Sequence, residues 1–444
     1  MTISDAVEAG FPSVLTELER LVAIESVSSD PERFDQVDRS AQAVVELVAG
    51  LGCEDVRIVS AGGKPAVIAH FPAPAGKPTV CLYAHHDVQP EGDPALWRSE
   101  PFAATREGDR LFGRGAADDK GGVAVHLAAL RAFGGKPPVG VTLFFEGEEE
   151  IGSPSLLALL DAHRDELASD VFVITDSGNW TVGTPAFTTS LRGLADCVVE
   201  LRTLDHAVHS GAFGGVAPDA LTAMCRLLAT LHDERGNVAV AGLHSGPAPE
   251  LEYPAERLRA ETGILDGVEY IGDGSVVQRL WHKPAISVIA LDTTPVAKAS
   301  NTLIPVVRAK ISMRLAPGDD ARSALAKLVA HLEQHAPWGA QVTVTEGETG
   351  EGSTIPFEGP YAEAARTAFT QAWGKPPVQV GQGGGIPMVA AFADAFPQAT
   401  VLVTAVSDPD SRMHGANESV HLGDLKAACL AEALFLQQVA DTTG

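Results

Sequence analysis

Apolar positions in the first 180 residues change between helical and strand-like spacing. Aliphatic residues recur at near-helical intervals between Ser13 and Ser26, and a second amphipathic stretch runs from Val37 to Gly50. The predicted strands that follow are Asp55–Val59, Ala66–Phe71, Thr79–Tyr83, Val139–Phe145 and Val171–Thr175, and the predicted helices among them are Lys120–Phe133 and Ser153–Ala168. Strands that alternate with helices predict an α/β unit with a largely parallel sheet.

The pattern of apolar positions changes after Thr189. The predicted strands are now Leu194–Leu201, Ser287–Leu291, Ala309–Leu315 and Gln341–Thr345, with helices at Asp219–His232 and Asp320–Gln334. This order, β-α-β-β-α-β, is typical of a ferredoxin-like split βαβ unit.

The C-terminal part returns to the first pattern, with a helix from Tyr361, a strand at Thr400–Val403 and a helix at Leu422–Val439. The simplest domain organisation is a discontinuous first domain, residues 1–189 and 349–444, which is interrupted by a second domain, residues 190–348. Residues 234–283 are irregular and rich in Gly, Pro and acidic side chains, so we interpret them as an insertion in the second domain.

The charge balance excludes several classes of partner. The formal net charge is −26, which disfavours nucleic acid and anionic membrane surfaces as partners. No apolar run reaches the roughly 20 residues that span a bilayer, and the acidic N-terminus does not have the pattern of a signal peptide. The five cysteines are scattered without a CxxC pair, which favours free thiols. We therefore expect a cytoplasmic protein.

Polar side chains follow several of the predicted strands directly. His85 and Asp87 come after one strand, Glu149 and Glu150 after another and Asp176 after a third. Ligands of open α/β sheets bind beyond the carboxyl ends of strands, so these residues are predicted to meet at one rim. Residues two apart share a face, which would let the Asp87 carboxylate orient the His85 ring as a metal ligand.

Each of these motifs also has an ordinary explanation when it is considered alone. The His85 motif fits a solvated loop, Asp118 or Asp119 fits a helix cap before Lys120, and His414 fits a lone loop histidine.

Considered together, the carboxylates of Asp118, Glu149, Glu150 and Asp176 would repel one another at a single rim unless cations are bound. Two divalent cations would balance three ligand carboxylates and one bridging hydroxide, which leaves Glu149 as a general base.

The sequence resembles the metallopeptidase family that contains the carnosine and cytosolic nonspecific dipeptidases, the aminoacylases, acetylornithine deacetylase and glutamate carboxypeptidase. The resemblance covers nearly the whole chain and rests on AHHDVQP, GRGAADDKGG, FEGEEEIGS, ITDSGN, HSGAFGG and HGANES in the family's order. The histidine block and the double aspartate are most similar to the dipeptidase branch. The resemblance implies a zinc-peptidase-like catalytic domain with an inserted lid or dimerisation domain.

The resemblance also implies a role for each matched residue. Two divalent ions, Zn²⁺ or else Mn²⁺ or Co²⁺, would be bound by His85, Asp118, Glu150, Asp176 and His414, with Asp118 bridging both. Glu149 would be the general base that activates water, Asp87 would orient His85, and the Asp118–Asp119 peptide bond would be cis.

In the inserted domain, the resemblance implies residues that act on the substrate. His209 would reach the active site of the other subunit in a homodimer and stabilise the oxyanion, and Arg314 would hold the substrate carboxylate. Thr302 and Asn301 match substrate-binding positions. The sequence departs from the dipeptidase pattern before Ile386, where glycines replace the usual serine; the backbone of Gly384 and Gly385 could still bind a carboxylate.

The predicted function is therefore metal-dependent hydrolysis of dipeptides. Two alternatives remain open: a deacylase of N-acyl or N-carbamoyl amino acids, which the missing serine keeps open, and a catalytically silent metal- or peptide-binding protein.

Overall fold

The structure, a computed structural model, describes residues 2–384 and 387–442, and its internal contacts divide the chain into two units. Unit 1 consists of Met1–Thr189, Ile355–Val380 and Ile386–Gly444, and unit 2 consists of Ser190–Thr354 and Gly381–Gly385.

The elements of the N-terminal part alternate as the apolar pattern predicts. The helices are α1 Ile3–Val22, α2 Phe34–Gly50, α3 Lys120–Ala132, α4 Leu156–Ala162 and α5 Arg164–Leu167. The strands are β1 Asp55–Val59, β2 Ala66–Phe71, β3 Thr79–His85, β4 Thr105–Glu107, β5 Arg110–Phe112, β6 Gly140–Glu146, β7 Val171–Ile174 and β8 Ala186–Leu191.

The middle and C-terminal parts follow in the same way. The strands are β9 Gly193–Arg202, β10 Val208–His209, β11 Ala285–Asp292, β12 Thr302–Leu303, β13 Val306–Leu315, β14 Gln341–Gly350, β15 Ser353–Thr354, β16 Val378–Gln382, β17 Thr400–Val403 and β18 Ser419–His421. The helices are α6 Ser210–Phe213, α7 Ala220–Ala229, α8 Ala255–Thr262, α9 Ala321–Gln334, α10 Pro360–Trp373, α11 Pro387–Ala395 and α12 Leu422–Asp441.

The large sheet of unit 1 has the strand order β1-β2-β6-β3-β7-β17-β8. Its four central strands, β6, β3, β7 and β17, are parallel, and the strands on both sides of them pair antiparallel. The central strands are buried on both faces, which explains why they are continuous apolar runs without alternation. The predicted α/β class with a mixed sheet is confirmed, and parallel pairing is confined to its centre.

Helices cover the sheet of unit 1 because their apolar faces bury against it. Helices α1, α3, α10 and α12 pack on one another, and α3 also contacts β3, while α2 packs on β1 and β2. Helix α3 is buried along nearly its whole length. These helices and the central strands together form one hydrophobic core.

Unit 2 has a four-stranded antiparallel sheet in the order β11-β13-β9-β14. Along the chain, these strands and the helices α7 and α9 follow the order β-α-β-β-α-β. This order along the chain and the strand order in the sheet are both those of a ferredoxin-like fold. The alternating burial of β13 shows that one face of this sheet is covered, and a second hydrophobic core lies between this face and the two helices.

The observed helices differ from the predicted ones where local backbone geometry and hydrogen bonding determine their ends. Helix α1 begins earlier than predicted because Thr2 and Asp5 form a capping box. The predicted helix Ser153–Ala168 is wrong as a single element, because the backbone of His163 leaves the helical region and separates α4 from α5. Strand β8 was not predicted.

The second domain boundary also differs from the pattern-based one. Strand β14 continues to Gly350, which pairs with Leu194 of β9, so residues 349–354 fold with unit 2 and not with the C-terminal part. Among the described residues, no helix combines the length and apolar character that a membrane crossing requires.

Candidate metal centre

The carboxyl ends of three parallel strands bring their following residues to one edge of the unit 1 sheet. His85, the last residue of β3, is in register with Glu146, the last residue of β6. On the other side of β3, Tyr83 is in register with Ile174 of β7. The segments that follow these strands therefore leave the sheet at the same edge, as the sequence pattern predicted.

Two groups of metal-type side chains lie at this edge and share one residue. The first group is His85, Asp118 and Asp176, and the second is Asp118, Glu150 and His414; within each group the ligand atoms lie within 4.8 Å of one another. Asp118 Oδ1 is 3.0 Å from His85 Nε2, and Asp118 Oδ2 is 3.1 Å from His414 Nε2. One carboxylate therefore faces both groups, each through a different oxygen.

The segment that carries Asp118 is held at the start of α3. The Asp118–Asp119 peptide bond is cis. Asp119 is the N-cap of α3, and its Oδ1 accepts a hydrogen bond from the Gly122 N–H. Its Oδ2 accepts a hydrogen bond from the His85 N–H. A side chain at Gly122 would collide with Asp119 and Thr175, so this close packing requires glycine.

Asp87 connects the His85 segment with the two glutamates. Its backbone oxygen is 3.1 Å from His85 Nδ1, and its carboxylate is 3.4 Å from the same atom. The two carboxylate oxygens accept hydrogen bonds from the N–H groups of Glu149 and Glu150, each at 3.2 Å. Asp87 therefore contacts the ring of His85 and also binds the backbone that carries Glu149 and Glu150.

Gln89 is a residue of the site that sequence reasoning missed. Its backbone N–H donates to one oxygen of the Glu150 carboxylate at 3.1 Å, and its side-chain Nε2 donates to the other at 2.8 Å. Nε2 also donates to the Glu150 backbone oxygen. Its position two residues after Asp87 could have indicated that it lies near the site. A side-chain amide, however, does not by itself suggest a metal site.

His414 reaches the centre from a loop near the C-terminus. Its backbone has a φ of 61°, in the left-handed region, and its side chain is 60% exposed. Nε2 is 3.3 Å from Glu150 Oε2, in addition to its contact with Asp118.

The contacts between the histidines and Asp118 shift the pKa values of all three groups in favour of their charged forms. Burial disfavours the charged form of His85, but hydrogen bonds to Asp118 and Asp87 outweigh burial and hold the pKa of His85 well above its ordinary value. Hydrogen bonds to Asp118 and Glu150 raise the pKa of His414 to about 10. Burial would raise the pKa of Asp118, yet its hydrogen bonds to His414 and His85 lower that pKa.

Two other carboxyl groups at this edge favour their protonated forms. Burial, and then the charge of Asp176, raise the pKa of Glu149 to about 9. Burial, opposed by His85 but reinforced by Asp118 and Glu150, raises the pKa of Asp176 to about 7. The edge thus carries more carboxylates than its own cationic groups can neutralise.

This donor set fits divalent metal ions. Imidazole nitrogens and carboxylate oxygens are the ligands of zinc, and the same atoms accept manganese or cobalt. Two groups that share one carboxylate have the arrangement of a dinuclear centre, and bound cations would offset both the burial and the mutual repulsion of these carboxylates.

Three residues of the inserted domain that were predicted to act on the substrate lie together in unit 2. His209 of β10 pairs with Thr302 of β12, and the Ser210 N–H donates to the backbone oxygen of Asn301 at 2.9 Å. The His209 side chain is exposed, and its Nδ1 accepts a hydrogen bond from the Gly211 N–H.

Arg314 lies on β13, where it is in register with Leu194 of β9. Nearby, the buried Arg192 donates to the backbone oxygen of Lys283, and burial followed by the charge of Arg314 lowers the pKa of Arg192 to about 10. Arg192 was not predicted to contribute to this cationic region.

The predicted backbone contacts of the glycine run are only partly covered by the structure. Gly384 lies in a bend after β16, and Gly385 lies outside the described residues.

Comparison with known proteins places this architecture in a family. The family model described as Peptidase family M20/M25/M40 matches residues 81–438. The cysteinylglycine-S-conjugate dipeptidase of Corynebacterium striatum is 34% identical over 430 residues, which cover 95% of this chain and 94% of that protein. The Cys-Gly metallodipeptidase DUG1 of Candida albicans is 26% identical over 460 residues, covering 96% of this chain and 94% of that protein.

A solved structure shows the same fold. Human carnosine dipeptidase 1 superposes with a TM-score of 0.79 at 24% identity, covering 99% of this chain and 98% of that chain. These matches confirm the resemblance that the sequence motifs indicated.

The contacts of Gln89 generate a prediction about metal affinity. We expect Gln89→Ala to weaken metal binding about 10- to 100-fold, because Glu150 loses both hydrogen bonds from the Gln89 side-chain amide while the one from the backbone N–H remains. The measurement is titration of metal-free protein with Co²⁺, followed by visible absorption. Gln36→Ala is the matched control, since Gln36 lies on α2 and its side chain contacts Asp35. Equal affinities of the wild-type protein and Gln89→Ala would contradict this role.

Proposed function

This chain belongs to peptidase family M20/M25/M40, and from that premise we propose that it is a metal-dependent dipeptidase that hydrolyses the peptide bond of dipeptides. Dipeptides are the substrates named for its most similar relatives, among them the cysteinylglycine-S-conjugate dipeptidase. Cys-Gly, its S-substituted forms and β-Ala-His are therefore the first candidates.

The observation that carries this proposal is the pair of metal-type groups that share Asp118, with Glu149 beside them. His85, Asp118 and Asp176 would hold one ion, and Asp118, Glu150 and His414 would hold the other. We propose zinc as the native metal, since the set of imidazole and carboxylate donors suits it. Bound at these residues, two divalent ions would supply an activated water and polarise the scissile carbonyl.

Glu149 is proposed as the general base. Burial, and then the charge of Asp176, raise the pKa of Glu149 to about 9, so its carboxylate has a high affinity for a proton. A carboxylate in such an environment can accept the proton of the attacking water and deliver it to the leaving nitrogen. Asp87 holds the Glu149 backbone N–H and so supports the position of this group while it orients His85.

Unit 1 is proposed as the catalytic domain and unit 2 as a lid and dimerisation domain. In this proposal His209 stabilises the oxyanion in the partner subunit of a homodimer. Arg314 binds the substrate carboxylate as a planar fork, with further contacts from Asn301, Thr302 and the glycine run that includes Gly384 and Gly385.

A cytoplasmic location is part of the same proposal. All five cysteines are free, and four of them are buried. Free thiols are typical of a reducing compartment, where disulfides do not persist.

The reaction class is tested with a panel of substrates. We expect the purified protein to hydrolyse Cys-Gly, S-substituted Cys-Gly or β-Ala-His, and a chelator to abolish this activity until Zn²⁺, Mn²⁺ or Co²⁺ is restored. The measurement is amino-acid release by chromatography with each metal in turn. N-acetyl and N-carbamoyl amino acids serve as the comparison, because preferential cleavage of these compounds would assign the protein to the deacylases instead.

The role of Glu149 is tested by separating turnover from metal binding. Glu149→Ala is expected to lower kcat by a factor of about 10² to 10⁴, because proton transfer is lost, while two metal ions per chain remain bound. The measurements are kcat and metal content by mass spectrometry. Glu150→Ala is the contrasting variant and should lose metal. Retained activity in Glu149→Ala would remove Glu149 from the mechanism.

The proposed contribution of His209 across a dimer has its own test. His209→Asn should lower kcat by about 10²- to 10³-fold without loss of metal. The control is His206→Asn, at another exposed histidine three residues earlier that pairs with Asp205.

If His209 acts in the partner subunit, mixing His209→Asn with Glu149→Ala and allowing subunit exchange should restore activity, because each mixed dimer contains one complete site. The measurements are the activity of the mixture and the mass of the protein by analytical ultracentrifugation. A monomeric protein, or no restored activity after demonstrated exchange, would contradict this arrangement.

A further inference from the structure

A buried carboxylate beside the metal-type groups has no part in the reaction described above. Glu418 lies four residues after His414, and its side chain is fully buried. Oε1 accepts hydrogen bonds from the N–H groups of Ala117 at 3.0 Å and Asp118 at 3.1 Å. Oε2 accepts one from the Gly115 N–H at 3.1 Å. Glu418 therefore binds the backbone of the segment that carries Asp118.

Arg114 completes this contact and extends it to a third segment. Its side chain is 1% exposed, and its Nη1 donates to Glu418 Oε2 at 2.5 Å. Nη2 donates to the backbone oxygens of Pro90 and Gly415, both at 3.1 Å, and the guanidinium lies 5.5 Å from the ring of Trp97. The pair thus joins the segments that contain His85, Asp118 and His414.

The backbone brings the pair together at the end of a small sheet. Strand β18 is antiparallel to β5, with Ser419 in register with Phe112. One residue further, the Gly113 N–H donates to the backbone oxygen of Glu418 at 2.9 Å. Beyond this point the two segments leave the sheet, and the side chains of Glu418 and Arg114 take over the hydrogen bonding between them.

The consequence concerns the distance between Asp118 and His414. Their side chains approach to 3.1 Å, although they lie on irregular segments that are almost 300 residues apart in the chain. Glu418 holds the N–H of Asp118 and follows His414 closely, so it links the two positions directly. Because Arg114 neutralises Glu418, the link adds no net charge to an edge that already repels carboxylates.

We propose that Glu418 and Arg114 form a positioning pair that sets the separation of Asp118 and His414 and thereby determines the affinity of the Asp118–Glu150–His414 group for its cation. The inference rests on the proposed function only in treating these three residues as ligands. Neither residue of the pair touches substrate or a reacting atom.

The test substitutes the carboxylate and measures metal binding without substrate. In Glu418→Gln the amide must turn its NH₂ group towards Arg114 or towards backbone N–H groups, all of which are donors, so part of the hydrogen bonding is lost. We expect Co²⁺ affinity at the second equivalent to fall about 10- to 100-fold, with an altered visible absorption spectrum of that ion. The probe is Co²⁺ titrated into metal-free full-length protein, and circular dichroism checks that the variant is folded.

Glu432→Gln is the matched control. Glu432 is also a buried glutamate of unit 1, but its carboxylate pairs with the side chain of His126 within α3 and not with the backbone N–H groups that lead to Asp118. It should bind Co²⁺ as the wild-type protein does. An equal loss of affinity in both variants would show general loosening of the fold and would overturn the proposal, as would wild-type binding by folded Glu418→Gln.

If Glu418→Gln does not fold, Arg114→Lys takes its place. Lysine keeps the charge but has no planar fork with which to reach Glu418, Pro90 and Gly415 together. It should weaken the second Co²⁺ several-fold, and unchanged binding would overturn the proposal. A wild-type protein that binds two Co²⁺ ions but cleaves no dipeptide would contradict the proposed function and leave this inference intact.

Discussion

The structure depends on one constraint, which is the concentration of carboxylates around Asp118. This side chain uses one oxygen towards His85 and the other towards His414, so it belongs to both groups of metal-type residues. Glu149, Glu150 and Asp176 lie at the same edge of the sheet, and burial, reinforced by repulsion from neighbouring carboxylates, raises the pKa values of Glu149 and Asp176. Bound cations would relieve this repulsion, and the chain belongs to a family of peptidases.

The arrangement is held by buried acidic side chains that are not themselves at its centre. Asp87 holds the backbone of Glu149 and Glu150, Asp119 caps α3 and binds the His85 N–H, and Glu418 binds the segment before Asp118. Asp119 accepts hydrogen bonds from the first turn of α3 and the last residue of β3, and Glu418 accepts them from the irregular segment that leads to Asp118. Irregular segments have no regular hydrogen bonds between backbone groups. Hydrogen bonds to buried carboxylates therefore hold the positions of the ligand side chains on these segments.

The sequence predicted the elements of the sheet well because the central strands are buried on both faces. Thr400–Val403 agrees with the structure at both ends, since a continuous apolar run has clear limits. The break at His163 and the start of α1 at Ile3 were missed, because a single backbone conformation and a capping box leave little trace in the apolar pattern. Gln89 and the pair of Arg114 and Glu418 were missed for a related reason: their importance lies in which backbone atoms they contact, and composition and spacing do not record this.

By itself, the sequence determined the α/β class, the ferredoxin-like second unit and the strand ends at which polar residues collect, because hydrophobic periodicity and strand direction are local properties. It also identified the family, through short motifs in a fixed order. Only the tertiary structure decided which oxygen of Asp118 faces which histidine, and that a loop near residue 414 closes against a segment near residue 118. These are contacts between distant parts of the chain, and they exist only once the sheet and its helices have packed.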